Sequence, residues 1–339
     1  MPKQRHYIAT FADRSGRWRP FFRLATLLAL VSVALPLRAG ERWPRTFGYV
    51  LQAEGLGERP AAVAALADSE RDLLILDRVY APGVAGAWTR AELSAIRRAW
   101  PGRKLLAYFS IGEAENYRGY WRKDWRLAAD GTPGAHTPAF IVGVNPVWEG
   151  NYRVRYWRPA WQRLALGYLD GLIAQGFDGV YLDIVDAFEG FEYDRERKRW
   201  IDGRVNPETD RSYRADMIAW VQRIARRARA ARPGFLVFAQ NGSQLLRVAA
   251  YRRVIDGIGI ESLYLHGDAP RTGGHTRTIL SDLARLRERR KTVLLVEYPS
   301  GLKGKRLAAR RAAGDCYPLL LTTRSLDDLG AALAVGGCR

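Results

Sequence analysis

Six carboxylates lie at or just beyond the ends of short apolar runs in this chain. They are Asp77, Glu113, Asp183, Asp186, Glu261 and Glu297. Burying so many acids is costly unless each one is paired, because an unpaired charge is poorly stabilised away from water. Two interpretations follow: the acids cap helices or pair with the many arginines, or they face a common cleft. Both stay open for Asp77 and Asp186, and the cleft position is favoured for Asp183 and Glu261.

Two carboxylates that face one cleft are what hydrolysis of a glycosidic bond requires. One protonates the leaving oxygen, and the other attacks the anomeric carbon or activates water. Their surroundings must separate their pKa values so that one holds a proton while the other is ionised. Aromatic side chains offer flat apolar faces to sugars, and many of the 11 Trp and 16 Tyr residues fall in the segments 113–158 and 188–211. The residue types therefore predict a polysaccharide substrate.

Other reaction types find less support in the sequence. A Gly-x-Ser-x-Gly elbow, a Walker loop and metal-ligand spacings are all absent, so we expect no metal and no cofactor. Ser110 ends an apolar run, and a Ser-His hydrolase with His266 as its base is a remote alternative. The two cysteines, Cys316 and Cys338, are compatible with one disulfide or with two buried thiols.

Eight short apolar runs are the elements that must position these side chains. Continuous runs of this kind are typical of parallel strands buried on both faces. The predicted strands are Phe47–Gln52, Leu73–Asp77, Leu105–Gly112, Gly179–Asp186, Phe235–Asn241, Gly257–Tyr264, Thr292–Tyr298 and Tyr317–Thr323. The predicted helices between and after them are Pro60–Arg71, Thr89–Trp100, Trp157–Gly176, Asp210–Arg232, Gln244–Ile255, Thr276–Arg290, Lys303–Ala313 and Ser325–Val335, and Thr89 with Glu92 is expected to form a capping box.

The eightfold alternation predicts one (β/α)8 TIM barrel over residues 46–324, followed by a C-terminal helix and tail at 325–339. A doubly wound open sheet is the main competitor. It would place a glycine-rich phosphate turn after the first strand, and Gln52–Gly57 matches that fingerprint poorly. In a barrel, catalytic groups sit at the carboxyl ends of the strands. The long loops after strands 3 and 4 are therefore expected to shape the cleft.

The first 40 residues are predicted to be an export signal. An apolar run at Leu24–Leu37 follows a basic stretch and is short for a membrane span. Because the cleavage site is imperfect, an uncleaved membrane anchor stays open as an alternative, and the protein is expected to be secreted or periplasmic. The formal charge is +19, but the remaining arginines are spread along helices rather than gathered into a stripe. We therefore expect no nucleic-acid partner, and membrane contact only through the N-terminal segment.

Two motifs resemble a known family of carbohydrate-active enzymes. LLAYFSIGEAE at 105–115 and GFDGVYLDIVD at 176–186 are similar to glycoside hydrolase family 114. That family includes the endo-α-1,4-polygalactosaminidases, and the chain resembles its exported branch, which is sometimes labelled cysteinyl-tRNA-synthetase-like. The resemblance covers roughly residues 46–324. It implies a barrel that cleaves a galactosamine-containing polysaccharide with two acids. A retaining mechanism is favoured, and inversion stays open.

The resemblance also implies roles for individual residues. The strand-four Asp of the family matches Asp183, the expected nucleophile, and the strand-six Glu matches Glu261 in GIGIESL, the expected acid/base. Ile184 departs from the family pattern, which often has Asn there, and the insertion at 188–211 lengthens the spacing between the two acids. A non-catalytic carbohydrate-binding barrel of the cell envelope is the alternative function. The expected substrate-binding residues are Asp77, Tyr108, Ser110, Glu113, Asp186, Asn241 and Tyr298.

Overall fold

The computed structural model describes residues 43–81, 86–128, 131–271, 273–287 and 291–334. The predicted export signal and Cys338 lie outside these ranges, so both predictions stay untested. Within the described ranges, no helix combines the length and the hydrophobicity that crossing a bilayer would require.

Eight parallel strands follow one another around a sheet in the order of the chain. Because the order never reverses, the sheet has no switch point of the doubly wound kind. The first strand meets the end of the sheet through the Leu51 and Gln52 amides, which donate to the Leu326 carbonyl at 2.8 and 3.1 Å. The predicted single-domain (β/α)8 barrel is confirmed. Its strands are β1 (Phe47–Val50), β2 (Leu73–Leu76), β3 (Lys104–Ser110), β4 (Gly179–Asp183), β5 (Leu236–Gln240), β6 (Gly257–Glu261), β7 (Thr292–Glu297) and β8 (Leu319–Leu321).

Helices connect the strands and cover the barrel. The predicted capping box at the start of the second helix is present: the Glu92 amide donates to Thr89 Oγ1 at 3.2 Å, and the Thr89 amide donates to Glu92 Oε2 at 2.7 Å. Short 3-10 turns lie at Ala53–Leu56, Val185–Ala187 and Ser243–Arg247. The α-helices are α1 (Arg59–Asp68), α2 (Arg90–Arg98), α3 (Pro159–Gln175), α4 (Phe188–Glu192), α5 (Tyr213–Ala231), α6 (Ala249–Val254), α7 (Gly274–Arg287) and α8 (Leu302–Asp315).

The long loops contain regular structure of their own. The segment after β3 folds into a three-stranded antiparallel sheet in which Asn151–Val154 lies between Glu113–Glu115 and Ile141–Val144. The insertion after β4 forms α4 and two short hairpins, Tyr193–Asp194 with Arg199–Trp200 and Val205–Asn206 with Arg211–Ser212. A further hairpin pairs Leu265–His266 with Ala269–Pro270. Side chains on these loops are therefore held by backbone pairing.

The barrel interior is filled by alternate residues of the strands, several of them aromatic. Tyr49 and Tyr181 pack edge to face with ring centroids 5.3 Å apart. Gly259 makes room for this pair, because a Cβ there would lie 1.7 Å from Tyr181 Oη. Strand β6 therefore contains glycine, because the neighbouring strands place large rings at the centre of the barrel.

The predicted C-terminal helix at Ser325–Val335 is wrong over its described part. Ala331–Leu333 instead form a ninth strand, β9, which pairs antiparallel with β8. Leu326 and Gly330 adopt left-handed backbone conformations, with φ of 51° and 54°, that turn the chain back. The apolar residues suit either structure, but the exposed edge of β8 needs hydrogen-bond partners, and β9 supplies them. The predicted helix Gln244–Ile255 is likewise divided into the 3-10 turn Ser243–Arg247 and α6.

Candidate active site

Asp183 is the last residue of β4 and lies at the carboxyl end of the barrel. Its Oδ2 accepts a hydrogen bond from the Tyr108 hydroxyl at 2.7 Å, and its Oδ1 accepts one from the Ile184 amide at 2.7 Å. Tyr108 projects from neighbouring β3, where Ser110 stands opposite Asp183 in register. Both carboxylate oxygens therefore have a donor that fixes their position.

Glu261 is the last residue of β6, two strands further around the barrel. Its Oε2 accepts from Asn241 Nδ2 at 3.4 Å, and its own amide donates to Asn241 Oδ1 at 3.2 Å. The Tyr298 hydroxyl, just beyond β7, donates to Glu261 Oε1. Five of the sequence-predicted residues thus form two groups, Tyr108 with Asp183 and Asn241 with Tyr298 around Glu261.

The three strands that carry these groups leave the barrel through the same backbone conformation. Ile184, Asn241 and Ser262 follow the ends of β4, β5 and β6 with φ of 55°, 56° and 51°. Left-handed residues turn the chain sharply, which leaves the preceding side chain at the rim. Asn adopts this conformation readily, whereas a β-branched residue such as Ile184 does so only under strain.

The charge of Glu261 affects the ionisation of Asp183. Burial, then the negative charge of Glu261, raises the pKa of Asp183 to about 7, while the hydrogen bonds from Tyr108 and the Ile184 amide work in the opposite direction. Burial and both carboxylates raise the pKa of the neighbouring Tyr181 well above its ordinary value, so this phenol stays neutral. The hydrogen bonds from Tyr108 and the Ile184 amide favour the anionic form of Asp183 against the effect of its burial.

The cleft at this rim has two parts. The first, of about 500 Å³, contains Glu261 and Asn241, and we call it the acidic lobe. The second, of about 820 Å³, contains Glu113, Ile184 and aromatic residues of the two long loops, and we call it the aromatic lobe. Asp186 and Glu189 line both lobes. The acids of the acidic lobe are Asp186, Glu189, Glu192, Asp202, Glu261 and Asp282.

Residues 48–335 match the model of glycoside hydrolase family GH114. The chain belongs to this family. It is therefore a glycosidase, an enzyme class that generally uses two carboxyl groups.

Other proteins are similar to this chain in sequence or in fold. A protein from Deinococcus radiodurans is 35% identical over 280 residues, which cover 82% of this chain and 81% of that one. Among solved structures, a variant of the glycoside hydrolase domain of PelA from Pseudomonas aeruginosa is similar with a TM-score of 0.56 at 20% identity, covering 84% of this chain and 96% of that one. Ega3 from Aspergillus fumigatus, in complex with galactosamine, is similar with a TM-score of 0.55 at 17% identity, covering 85% and 93%. At these identities the two structures show a shared fold.

Asp186 lies one turn beyond Asp183 in this glycosidase, on the wall common to both lobes. Burial, followed by the charges of Asp183 and Glu189, raises the pKa of Asp186 to about 8. No other side chain hydrogen-bonds its carboxyl within the described ranges. Asp186 therefore offers an unengaged carboxyl to whatever occupies the cleft.

The Asp77 carboxylate is bound by other groups of the protein. Its carboxylate receives the buried Arg118 guanidinium at 2.7 and 2.8 Å, and it also accepts from the Val79 amide at 3.1 Å. Arg118 also pairs with Glu115 at 2.7 Å, and its guanidinium carbon lies 5.8 Å from the centre of the Tyr108 ring. Asp77 thus supports the tyrosine that holds Asp183. The role of Arg118 was not predicted from the sequence, although an arginine that closely follows two acids at strand ends could indicate an ion pair.

Ser110 and Glu113 lie beside the aromatic lobe rather than beside a histidine. The Ser110 hydroxyl donates to the Glu113 carbonyl at 3.2 Å, whereas the His266 side chain is exposed. The described residues contain no hydrogen bond between this serine and His266, so a Ser-His pair receives no support. The Glu113 carboxylate accepts from Asn145 Nδ2 at 3.0 Å, and burial raises its pKa.

Glu297 holds the loop that follows Glu261. This carboxylate is fully buried at the end of β7, and it accepts from the Tyr264 amide at 2.6 Å. Burial raises its pKa to about 7, although the amides of Tyr264, Leu265 and Leu263 all oppose that shift. The end of β7 thus supports Glu261 twice, directly through Tyr298 and indirectly through the loop. Across the described ranges, no three His, Cys, Asp or Glu side chains are grouped closely enough to hold a metal ion.

Proposed function

We propose that this family 114 chain is an exported enzyme that cleaves an α-linked, galactosamine-type polysaccharide by a retaining, two-carboxylate mechanism. The observation that carries the proposal is the coupled pair of strand-end carboxylates, each held by a tyrosine. Asp183 is the nucleophile and Glu261 the acid/base. Tyr108, Asn241 and Tyr298 hold these two carboxylates in position.

The proposed reaction uses Asp183 as an anion and Glu261 as an acid. Glu261 donates the proton to the glycosidic oxygen as Asp183 attacks the anomeric carbon, so the glycosidic C–O bond breaks and a glycosyl ester forms. Glu261 then removes a proton from water, and the resulting attack on the anomeric carbon releases Asp183. The Tyr108 hydrogen bond stabilises Asp183 as it becomes an anion again.

The charge of the acidic lobe supports an amino sugar as substrate. Its lining contains six carboxylates but only two arginines, Arg214 and Arg247. Although the whole chain is basic, this local excess of acids favours an ammonium group. The similarity to a fungal protein solved with galactosamine agrees with such a ligand.

Carboxyl-to-amide variants test the proposal. We expect Asp183→Asn and Glu261→Gln each to lower release of reducing ends from deacetylated galactosamine polymer by about a thousandfold or more, as loss of a catalytic group does. Asp170→Asn on the outer surface of α3 is the matched control and should retain activity. Full activity in either folded site variant would contradict the proposal, whereas sugar binding without turnover by the wild type would indicate the non-catalytic alternative.

Azide rescue distinguishes the nucleophile from the acid/base, and the anomer of the first product tests the retaining mechanism. Azide should restore turnover of an activated aryl glycoside by Glu261→Gln with retained configuration, and by an Asp183 variant (Asp183→Gly) with inverted configuration. Proton NMR of the wild-type reaction should show the α-anomer first. A β-anomer as the first product would contradict the retaining mechanism.

A further inference from the structure

The two lobes of the cleft differ in charge. Leaving aside the shared Asp186 and Glu189, the acidic lobe has four acids and two arginines, whereas the aromatic lobe has four acids and five arginines. In the acidic lobe, Arg214 pairs with Glu192 and Asp202, both at 2.7 Å. The acids there exceed what the arginines can neutralise. A cationic sugar is therefore favoured in the acidic lobe alone.

The aromatic lobe is close to neutral because its own acids and arginines are nearly equal in number, and two of these acids form ion pairs. Glu208 receives Arg158 at 2.6 Å and Arg155 at 3.5 Å, and Asp194 receives Arg197 at 2.8 Å. Because of these pairs, neither positive nor negative charge dominates the aromatic lobe.

Rings form one wall of the aromatic lobe. Trp157 packs on Phe191 with centroids 4.8 Å apart, and Phe191 stacks on Tyr213 at 5.2 Å. Trp157 donates from Nε1 to Glu208 at 2.7 Å, which fixes its ring while leaving it half-buried. Flat, fixed apolar faces of this kind suit an uncharged sugar and its acyl methyl group.

The insertion after β4 divides the two lobes. On its hairpin, Tyr193 and Trp200 pack together with centroids 4.6 Å apart, and Tyr193 lines the aromatic lobe while Trp200 lines the acidic lobe. Asp186, three residues after Asp183, lines both. Glu261 and Asp186 line the acidic lobe together, so the proposed acid/base lies in the lobe that borders this divide.

We propose that the cleft reads the acylation pattern of its polymer: a sugar with a free amine occupies the acidic lobe, and an N-acylated sugar occupies the aromatic lobe. This inference rests on the proposed function and adds a sequence preference to it. The enzyme then cuts at junctions between the two kinds of sugar in a partly N-acetylated chain. Asp202, which lines the acidic lobe alone, is the specificity residue on the amine side, and Trp157 is the specificity residue on the acyl side.

Analysis of the new chain ends tests the proposal with the wild-type protein. Three α-1,4-galactosamine polymers are compared, one fully deacetylated, one fully N-acetylated and one about half N-acetylated at random. We expect kcat/KM to be highest on the mixed polymer, by about fivefold, which is what roughly 1 kcal/mol of discrimination gives. Mass spectrometry of the early products should find free amines enriched at one new end and N-acetyl groups at the other. Equal acetylation at both ends would overturn the inference.

Variants assign the two preferences to their lobes. Asp202→Asn should weaken the free-amine bias and leave the N-acetyl bias, and Trp157→Phe should weaken the N-acetyl bias while the amine bias stays. Asp170→Asn should change neither. Loss of both biases in either folded variant would overturn the assignment to separate lobes. Failure to cleave any of the three polymers would refute the proposed function, whereas cleavage without bias refutes only this inference.

Discussion

Tyr108 is the residue that favours the ionised form of Asp183. Its hydroxyl lies 2.7 Å from Asp183 Oδ2 and lowers the pKa of that carboxyl against burial and the charge of Glu261. In Tyr108→Phe the pKa of Asp183 should rise, so the acidic limb of the kcat/KM profile should move to higher pH. Removing a hydrogen bond to a charged group of this kind should lower kcat/KM by about tenfold at pH 6.

The pH profile separates this role from a purely structural one. A structural defect lowers kcat/KM by the same factor at every pH, whereas loss of the Tyr108 hydrogen bond has its smallest effect above pH 8. A profile for Tyr108→Phe that is parallel to that of the wild type would contradict the assigned role.

Ile184 carries the backbone strain of the site. It is β-branched, it has φ of 55°, and it directly follows Asp183. Ile184→Asn should relieve the left-handed strain and raise the free energy of unfolding by about 1 kcal/mol, which corresponds to roughly 2–4 °C in Tm for a chain of this size. Calorimetry measures this change. Ile184→Val, which is equally branched, is the matched control and should not be stabilised.

At the scale of the element, β6 needs glycine to bring Glu261 to the rim. An alanine Cβ at position 259 would lie 1.7 Å from Tyr181 Oη and 2.7 Å from Gln240 Oε1. Gly259→Ala should therefore lower Tm markedly and reduce activity, since overpacking a filled core costs about 1–3 kcal/mol. Gly190→Ala in α4 is the control, because nothing lies within 4 Å of its added Cβ. An unchanged Tm in Gly259→Ala would contradict the packing described for the barrel interior.

The element scale also shows which parts of the structure could be predicted from sequence. Continuous apolar runs gave the eight barrel strands, because a parallel strand is buried on both faces and its pattern is local. The segment at 325–333 was misassigned because its partner, β8, is chosen by tertiary contact. The Asp183 and Glu261 positions were predicted from strand ends. The Arg118 pair with Asp77 was missed, because it joins a loop to a distant strand.

At the scale of the whole molecule, buried acids make stability depend on pH. The pKa values of Asp183 and Glu297 are raised to about 7 and that of Asp186 to about 8. For a group whose folded pKa is raised, its contribution to stability is fully present below the unfolded pKa, near 4, and is lost as pH rises through the folded pKa. The free energy of unfolding should therefore fall between about pH 4 and pH 8.

Calorimetry at pH 5 and pH 8 checks this dependence. We expect Tm to be several degrees higher at pH 5, and Asp186→Asn should reduce the difference because it removes one titrating group. Asp170→Asn should leave the difference unchanged. A higher Tm at pH 8 than at pH 5 would contradict the protonated state assigned to these buried acids.

Trapping the covalent intermediate tests the central claim most directly. Glu261→Gln should form the glycosyl ester from an activated aryl glycoside of a galactosamine oligosaccharide and hydrolyse it slowly, so acid quenching should preserve it. Intact mass followed by peptide mapping should find the sugar on the peptide that contains Asp183, and no adduct should form when Asp183→Asn is added. An adduct on another residue, or fast turnover with no adduct, would contradict Asp183 as the nucleophile of this glycosidase.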